Sequence, residues 1–428
     1  MKAILQLALD FVDLKRAVKS AEAAVRGGVD WVEVGTPLIK SEGLQAVREL
    51  RRLLPEITLV ADMKIMDTGR VEVETAAKAG ANIVDVLGAA SDATIRECIQ
   101  AGKNYGAKIV VDMIAVKDVL SRARAVEEFG ADYVSVHCAV DEQMEGKDPF
   151  ETLRQVSQAL SIPVAVAGGI NSETAARAIE AGASIVIVGG AITKAIDPEE
   201  AARAIREGMD TGMAISTTLF KRKGEAEIRE ILQLVSAANL SDALHRGGVM
   251  QGIKPLFRGM HMVGRAVTVR TYPGDWAKPV RAIDMAEPGD VLVIDSGGVG
   301  PAIWGELATH SAIQRGLAGV VVDGAVRDTD DIIALKFPAF SRLVMPNAGE
   351  PKGFGEIGVP VTVGNLRVEP GDWVLGDGDG VVVLPRTMAV EYANRSMDVL
   401  ERENRIREEI KEGSTLSQVA ELLRWEKK

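Results

Sequence analysis

The sequence is poor in cysteine and in long hydrophobic runs, and each shortage excludes a class of protein. Two cysteines, Cys98 and Cys138, in a chain of 428 residues cannot form a disulfide framework, which favours a reducing cytoplasm over a secreted location. No stretch approaches the ~20 apolar residues that a membrane-spanning helix needs. The apolar start from Met1 to Leu9 is too short for the core of a signal peptide. We therefore predict a cytoplasmic protein with no role at a membrane.

Basic residues are fewer than acidic residues, and aromatic residues are scarce. Lys and Arg number 50 against 61 Asp and Glu, for a net charge of −11, which argues against nucleic acid as the main partner. Aromatic residues are only 4% of the chain, whereas hydrophobic residues reach 47% and glycine contributes 43 residues. This composition is typical of folded globular proteins, and the length exceeds that of one ordinary domain. We predict two domains.

The first half alternates short apolar runs with longer helical patterns. Such runs are typical of parallel strands that are buried on both faces. Eight strand–helix units in about 200 residues favour a closed (β/α)8 barrel over an open, doubly wound sheet. The predicted strands are Ile4–Leu9, Trp31–Val34, Thr58–Ala61, Ile83–Leu87, Ile109–Val111, Tyr133–Val136, Val164–Ala167 and Ile185–Val188.

A glycine repeat supports the barrel. Gly28, Gly80, Gly130 and Gly182 each precede a predicted strand, at separations of 52, 50 and 52 residues. Glycine at this place suits a left-handed helix cap, after which the chain turns into the sheet. The period therefore marks every second strand–helix unit.

The barrel pattern lapses near residue 210. We predict a barrel domain over residues 1–210, a linker over 211–226 that includes the basic cluster Lys221–Lys223, and a second domain over 227–428. Pro-Gly-Asp turns at 288–290 and 370–372 precede apolar runs, which indicates more strands and turns than in the first half. The charged segment Ala389–Leu423 predicts an amphipathic helix that packs on its own domain or on a neighbour.

Polar residues stand at the C-terminal ends of the predicted barrel strands, the edge where (β/α)8 barrels carry their chemistry. Several carboxylates at one mouth raise each other's pKa unless a cation neutralises them. A lysine and a divalent metal ion would do so, and an oxygen-rich set favours Mg²⁺ over zinc. Taken singly, a carboxylate or histidine here could also be structural. The residues are Asp10, Glu33, Asp62, Lys64, Asp67, Asp112 and His137.

The last two predicted strands end in paired glycines, Gly168-Gly169 and Gly189-Gly190. At these strands of a barrel, backbone N–H groups bind phosphate, and glycine allows the anion a close approach. One such pair could simply turn the chain, but two pairs at the seventh and eighth strands predict a small phosphorylated substrate.

Three stretches of the first half resemble a known family. Ala61–Gly69 is similar to the Asp-x-Lys-x-x-Asp motif of the orotidine-monophosphate-decarboxylase superfamily. Val32–Ile39 and His137–Gln143, the latter followed by Gly146–Asp148, narrow the resemblance to 3-hexulose-6-phosphate synthases. That family condenses ribulose 5-phosphate with formaldehyde, reversibly, and uses Mg²⁺. The resemblance covers the whole first half.

A sister family, the 3-keto-L-gulonate-6-phosphate decarboxylases, shares the metal and phosphate sites. Its members usually carry an arginine shortly after the histidine, where this sequence has Ala139 and Val140. This departure favours the synthase, with the decarboxylase as the alternative.

The resemblance also implies residue roles. Glu33 and Asp62 would hold Mg²⁺, with Mn²⁺ as an alternative, and Lys64 would help to stabilise the oxyanion of an enediolate. His137 would exchange a proton, since histidine titrates near neutral pH. Three further carboxylates would position sugar hydroxyls or the lysine: Asp10, Asp67 and Asp112.

The informative stretch of the second half runs from residue 300 to 331. Glu306 begins a predicted helix, and N–H groups at a helix start can bind a carboxylate. Arg327 can bind a carboxylate through two hydrogen bonds, and the adjacent Asp328 can hold a metal ion directly or through water. Together these groups suit an α-keto acid such as pyruvate. The alternative is a surface Arg–Asp turn beside a capped helix.

The same residues resemble a second family. Glu306, twenty further residues, Arg327-Asp328 and then Asp331 match the pattern of 4-hydroxy-4-methyl-2-oxoglutarate aldolases. This group includes the regulator of ribonuclease activity A, and the resemblance covers about Ile228 to Pro385. It implies a ββα, swivelling-type domain that commonly forms trimers.

By that resemblance, Arg327 binds the keto-acid carboxylate together with the amides of Leu307 and Ala308, and Asp328 anchors Mg²⁺ through waters. Glu306 lies near those waters, where many relatives have the shorter Asp. The domain would act as a metal-dependent pyruvate aldolase, or alternatively as a non-catalytic binding or assembly module. We expect a homo-oligomer, with paired barrels, trimeric second domains, or both.

Overall fold

The computed structural model describes residues 2–217, 223–411 and 413–419. The chain divides into two units, which we describe one at a time. The first takes in the described residues of Met1–Gln143, Lys147–Lys221 and Arg407–Lys428, and the second those of Met144–Gly146 and Arg222–Ile406. Residues 218–222 of the predicted linker, two of them from its basic cluster, and residues 412 and 420–423 of the predicted C-terminal helix lie outside the described residues.

Eight parallel strands form the first unit and close into a barrel in chain order. They are β1 (Ile4–Leu9), β2 (Trp31–Val34), β3 (Thr58–Ile65), β4 (Ile83–Leu87), β5 (Lys108–Asp112), β6 (Tyr133–His137), β7 (Val164–Ala167) and β8 (Ile185–Val188). The ring closes at β1, where Leu7 pairs with Val32 of β2 on one side and with Val188 of β8 on the other. The predicted (β/α)8 barrel is confirmed.

Helices connect the barrel strands on the outside. They are α1 (Leu14–Arg26), α2 (Thr36–Glu42), α3 (Gln45–Leu53), α4 (Gly69–Ala79), α5 (Asp92–Tyr105), α6 (Val119–Phe129), α7 (Val140–Met144), α8 (Phe150–Ala159), α9 (Ala175–Glu180), α10 (Gly190–Thr193) and α11 (Pro198–Thr211). In α1 the small residues Ala17, Ala21 and Ala24 are buried. Their spacing of three and four residues puts them on one face, which packs against the sheet.

Strand β3 runs beyond the predicted end at Ala61. It continues to Ile65, and its pairing with β4 shifts between Ala61 and Ile65. The residues of this bulge leave the regular ladder, which re-aims their side chains. Asp62 and Lys64 therefore belong to an irregular strand end, a feature that hydrophobic patterning does not reveal.

Alternating residues of the barrel strands face two different cores. Val84 and Val86 of β4 pack in the large cluster that joins the sheet to the surrounding helices. Ile83 packs instead in a smaller cluster with Val60 and Val110, inside the barrel. This inner apolar layer fills the lower part of the barrel and leaves the polar strand ends above it.

Ten strands follow the barrel in the chain. They are β9 (Lys254–Pro255), β10 (Met262–Arg270), β11 (Val291–Asp295), β12 (Gly319–Val326), β13 (Ala339–Val344), β14 (Glu356–Ile357), β15 (Val361–Val363), β16 (Leu366–Val368), β17 (Trp373–Asp377) and β18 (Gly380–Leu384). The later helices are α12 (Ile228–Leu234), α13 (Ala237–Ala243), α14 (Ala277–Met285), α15 (Glu306–Gln314), α16 (Thr329–Ala334), α17 (Ala389–Lys411) and α18 (Leu416–Val419).

A mixed sheet forms the centre of the second unit. Its order is β18-β17-β10-β11-β12-β13-β9, with β14 also paired to β10, and β10 to β13 run parallel. Val322 and Ile294 pack on one face of this sheet, and Val321 and Val293 on the other. Both faces are therefore covered, as expected for parallel strands. No described helix is long and apolar enough to cross a membrane.

The four repeated glycines have left-handed backbones. The φ angles of Gly28, Gly80, Gly130 and Gly182 are 101°, 112°, 94° and 100°. A residue with a Cβ adopts such angles only with strain. The glycine repeat therefore reflects the need for a positive φ angle at four equivalent turns from a helix to a strand.

Replacing Gly182 with Ala should destabilise the barrel by about 2–3 kcal/mol. A Cβ there would lie 2.7 Å from Ser157 Cβ, so a steric clash adds to the strain of φ. Gly106→Ala is the matched control, because Gly106 has φ 75° and no atom within 4 Å of its Cβ position. Urea unfolding of the full chain measures both losses. An equal loss of unfolding free energy in the two variants would contradict the proposed steric clash at residue 182.

Candidate active sites

Four barrel strands end in side chains that face the mouth of the barrel. Glu33 lies in β2, Asp62 in β3, Asp112 in β5 and His137 in β6. The three acidic residues are 9%, 4% and 1% exposed in that order. Parallel strands bring their C-terminal ends to one edge of the barrel. Residues far apart in the sequence therefore meet in one largely buried cluster.

The ammonium group of Lys64 joins two of these carboxyl groups. Its Nζ lies 3.1 Å from Asp62 Oδ1 and 3.0 Å from Asp112 Oδ2. The lysine has φ 44°, a left-handed conformation that is strained for a non-glycine residue and is found at functional sites. Burial by itself lowers the pKa of Lys64, but Asp85, Asp62 and Asp112 outweigh burial and raise that pKa. Lys64 is therefore a fixed positive charge.

Asp112 connects Lys64 to His137. Its Oδ2 lies 2.8 Å from His137 Nδ1, and its Oδ1 accepts a 2.9 Å hydrogen bond from the backbone N–H of Ile114. Burial acts to raise the pKa of Asp112, but the hydrogen bond and charge interaction with His137, together with Lys64 and Ile114, lower the pKa below its ordinary value. Because Nδ1 is engaged, Nε2 is the ring nitrogen of His137 that can face a substrate.

Two uncharged side chains orient the other carboxyl groups. Gln6 Nε2 donates a hydrogen bond to Glu33 Oε2. Thr36 donates to Asp62 Oδ2 from its Oγ1 at 2.6 Å and from its backbone N–H at 3.2 Å. Sequence reasoning missed Gln6 and Thr36, because neither is charged and the fold alone decides their partners.

Glu33 and Asp62 fit a cation. Burial, followed by Asp62 and Asp10, raises the pKa of Glu33 well above its ordinary value, and a cation would relieve this repulsion. Asp62 Oδ1 is buried and accepts no hydrogen bond among the described residues, although Lys64 Nζ lies 3.1 Å away. Nowhere in the described ranges do three or more His, Cys, Asp or Glu side chains form a metal cluster. A cation would therefore rest on two carboxylates plus water or substrate oxygens, as Mg²⁺ commonly does.

Paired glycines follow β7 and β8 at the same edge of the barrel. Gly168 and Gly169 have φ angles of 109° and 71°. A Cβ at Gly168 would lie 2.5 Å from the carbonyl oxygen of Cys138, so this turn accepts only glycine. Gly189 and Gly190 lead into α10. The structure thus places both predicted phosphate turns beside the acidic cluster.

Asp10 and Asp67 lie at the rim of the mouth. Asp10 is exposed after β1, and its Oδ2 would lie 3.3 Å from a Cβ at Gly189, beside the second glycine turn. Asp67 is exposed, and its carboxylate lies 3.4 Å from Thr68 Oγ1 in a hydrogen bond. Among the described residues, Lys64 forms its ion pairs with Asp62 and Asp112 rather than with Asp67.

Asp85 is a carboxyl group of the mouth that sequence reasoning missed. It lies inside β4 and is 8% exposed. Burial, followed by Asp112 and Asp62, raises its pKa well above its ordinary value. The available signal was the acidic residue within the apolar run Ile83–Leu87, because a strand buried on both faces rarely carries a charge.

The second unit brings together the residues predicted at the start of α15 and after β12. The backbone N–H of Glu306 donates a 3.2 Å hydrogen bond to Asp328 Oδ2. Arg327 Nε lies 3.4 Å from the same oxygen, and Asp328 has a left-handed backbone at φ 54°. The Glu306 carboxylate lies 3.0 Å from His310 Nε2. Leu307 and the next residue follow in the first turn of α15.

This arrangement has the groups that an organic carboxylate would need. Arg327 is half-exposed, with 42% of its side chain accessible, so its guanidinium can meet a ligand. The first-turn amides of Leu307 and Ala308 can donate to the same anion, because the first N–H groups of a helix have no partner within the helix. Asp328 can accept waters of a metal ion.

The closed eight-stranded barrel with polar residues at its mouth puts the first unit in the class of (β/α)8-barrel proteins, and comparisons with known proteins identify the family. Residues 3–205 match the model of the Orotidine 5'-phosphate decarboxylase / HUMPS family, and residues 237–383 match the RraA-like model, Aldolase/RraA. A protein of Bacillus subtilis (strain 168) named 3-hexulose-6-phosphate synthase is 43% identical over 204 residues, which are 47% of this chain and 97% of that protein.

Two solved structures also match parts of the chain. A crystal structure of 3-hexulose-6-phosphate synthase from Salmonella typhimurium is 41% identical and covers 50% of this chain and 100% of its own, with a TM-score of 0.48. A structure of the RNA-processing inhibitor RraA from Thermus thermophilis is 32% identical and covers 35% of this chain and 91% of its own, with a TM-score of 0.33. The chain belongs to the Orotidine 5'-phosphate decarboxylase / HUMPS family through its barrel and carries a C-terminal RraA-like domain.

Asp112→Asn should flatten the pH dependence of stability in acid. A carboxyl group whose pKa is lowered by folding contributes stability above its unfolded pKa of about 4, and this contribution is lost as the pH falls through the folded pKa. From about pH 6 to about pH 3, the wild type should lose roughly 1 kcal/mol more unfolding free energy than the variant. Urea unfolding at each pH measures this difference. Parallel losses would show that Asp112 is not stabilised as a carboxylate.

Proposed function

We propose that the barrel catalyses the reversible aldol condensation of ribulose 5-phosphate with formaldehyde to 3-hexulose 6-phosphate. The observation that carries the proposal is the buried network of Lys64 with Asp62 and Asp112, extended to His137. It occurs in a chain that is 43% identical to a 3-hexulose-6-phosphate synthase over nearly all of that protein. The reaction needs positive charge beside an enediolate and one group that moves a proton, and Lys64 and His137 of the network would supply them.

The two glycine turns would bind the phosphate. Gly168-Gly169 and Gly189-Gly190 offer backbone N–H groups at the edge where the polar residues end their strands. A phosphate held there fixes one end of the sugar, so that the carbonyl end reaches the acidic cluster. Asp10, which lies beside the second turn, would accept hydrogen bonds from sugar hydroxyls.

His137 would remove the proton from C1 of ribulose 5-phosphate. Asp112 accepts from Nδ1, which leaves Nε2 to take the proton and later return it. Loss of the proton puts negative charge on the enediolate oxygens, and the Lys64 ammonium stabilises that charge. C1 then bonds to the carbon of formaldehyde, and the former formaldehyde oxygen takes up a proton. All atoms of both substrates remain in the product.

Glu33 and Asp62 would hold Mg²⁺, or Mn²⁺ in its place. When bound, such an ion supplies a second positive charge at the enediolate oxygens. The residues of the chain prepare this site, since Gln6 and Thr36 fix the two carboxylates from the side. Asp67, exposed at the rim, would contact sugar hydroxyls.

Activity assays of the barrel test this proposal. With Mg²⁺, the full chain should consume ribulose 5-phosphate only when formaldehyde is present, and Asp62→Ala should lower turnover by more than about 100-fold. Asp30→Asn is the matched control, because Asp30 pairs with Arg206 before β2, at the other end of the barrel. Its turnover should stay within about twofold of wild type. Decarboxylation of 3-keto-L-gulonate 6-phosphate without the condensation would instead favour the sister activity.

We propose a second activity for the RraA-like domain, the metal-dependent cleavage of a 4-hydroxy-2-oxo acid to pyruvate. Arg327 and the amides of Leu307 and Ala308 would bind the carboxylate of the substrate. Asp328 would anchor a divalent cation through water, and Glu306 would accept a hydrogen bond from that water. The contact between Glu306 and Asp328 supports this proposal, because it joins the helix start to the metal anchor.

Pyruvate release from 4-hydroxy-4-methyl-2-oxoglutarate tests the second activity. Arg327→Ala should lower the release by about 100-fold, because it removes the charged partner of the substrate carboxylate. Arg367→Ala is the control, since Arg367 forms an exposed ion pair with Glu369, and this substitution should leave the rate unchanged. No release by the wild type would favour a binding or assembly module.

A further inference from the structure

Asp85 is a buried carboxyl group that the proposed mechanism does not use. Val84 and Val86 on either side of it pack outward against the helices. Ile83, two residues earlier, packs inside the barrel. Alternation along a strand therefore points Asp85 into the barrel, one level above the inner apolar layer and below the mouth.

One carboxyl oxygen of Asp85, Oδ1, is buried without a hydrogen-bond partner among the described residues. Its neighbours Asp112, Asp62 and Glu33 are acidic, and Lys64 is the one positive group among its main electrostatic partners. A buried polar group left in this state is costly, and natural proteins keep such groups mostly at functional sites.

Lys64 needs a partner that does not change during turnover. Asp62 forms an ion pair with Lys64, but in the proposed function Asp62 also holds the cation. Asp112 is the second partner of Lys64, and His137 shares the same Oδ2. Asp85 also raises the pKa of Lys64, as Asp62 and Asp112 do, although the described ion pairs of Lys64 are with Asp62 and Asp112. It also has no competing hydrogen bond to Oδ1 among the described residues.

We propose that Asp85 is a positioning residue, whose carboxyl group on the floor of the mouth holds the Lys64 ammonium in place while Asp62 and Asp112 engage the cation and the histidine. At 8% exposure it lies below the groups that touch substrate. It acts on the reaction only through Lys64. This role rests on the proposed sugar-phosphate chemistry.

The test compares two substitutions that each remove one carboxylate from the barrel. Asp85→Asn should lower kcat by about 10- to 100-fold with little change in the KM for ribulose 5-phosphate or in the Mg²⁺ requirement. Its melting temperature should equal or exceed that of the wild type, because the substitution removes a buried carboxyl group whose Oδ1 accepts no hydrogen bond among the described residues. Asp30→Asn should show the reverse, since it weakens the ion pair with Arg206. Its stability should fall while its kcat stays within about twofold of wild type.

Crystal structures separate this proposal from the proposed function. In Asp85→Asn, Lys64 Nζ should leave its position 3.0 Å from Asp112 Oδ2, whether or not the wild type turns over ribulose 5-phosphate. Asp85→Thr, a smaller polar replacement, should do the same if the Asn variant fails to fold. If the wild type is inactive and Lys64 is displaced in Asp85→Asn, the sugar reaction is refuted but the positioning role is supported. An unchanged kcat with Lys64 in place would overturn the proposal, and so would a weakened affinity for Mg²⁺, which would make Asp85 a ligand instead.

Discussion

The arrangement of the barrel depends on one electrostatic constraint, the crowding of carboxyl groups around a single lysine. Burial removes these groups from water. In the protein interior the repulsion between their charges is only weakly screened. Lys64 offsets part of the repulsion through Asp62 and Asp112, and the strained backbone of the lysine shows that the fold holds it there. The remaining negative charge is the basis on which we propose a divalent cation at the mouth.

The surrounding scaffold serves that constraint at several levels. The bulge in β3 takes Asp62 and Lys64 off the regular ladder, so both reach the mouth. Below them, the apolar layer around Ile83 keeps water out of the barrel. Uncharged donors such as Thr36 fix a carboxylate without adding charge. In the RraA-like domain a single carboxylate, Asp328, is held in a similar way. It accepts a hydrogen bond from the backbone N–H of Glu306 at the start of α15 and forms an ion pair with Arg327.

Most of the fold could be predicted from the sequence, and part of the site could not. Runs of Val and Ile that are buried on both faces carry a local signal, so seven of the eight barrel strands were predicted within one residue of their observed bounds, whereas β3 runs four residues further than predicted. Gly182 and its counterparts were predicted as left-handed caps for the same local reason. Gln6 acts through a partner 27 residues away, and no local pattern encodes that contact. Asp85 was missed because its apolar neighbours in β4 dominated the pattern.

The central claim is that Glu33 and Asp62 together hold one divalent cation beside Lys64. Anomalous diffraction from crystals soaked in Mn²⁺ tests this claim most directly, because Mn²⁺ replaces Mg²⁺ at oxygen-rich sites and is visible by its own scattering. The account predicts a single strong peak in the barrel, within bonding distance of one carboxylate oxygen from each residue. A barrel without a peak, or a peak bound by other residues, would contradict it.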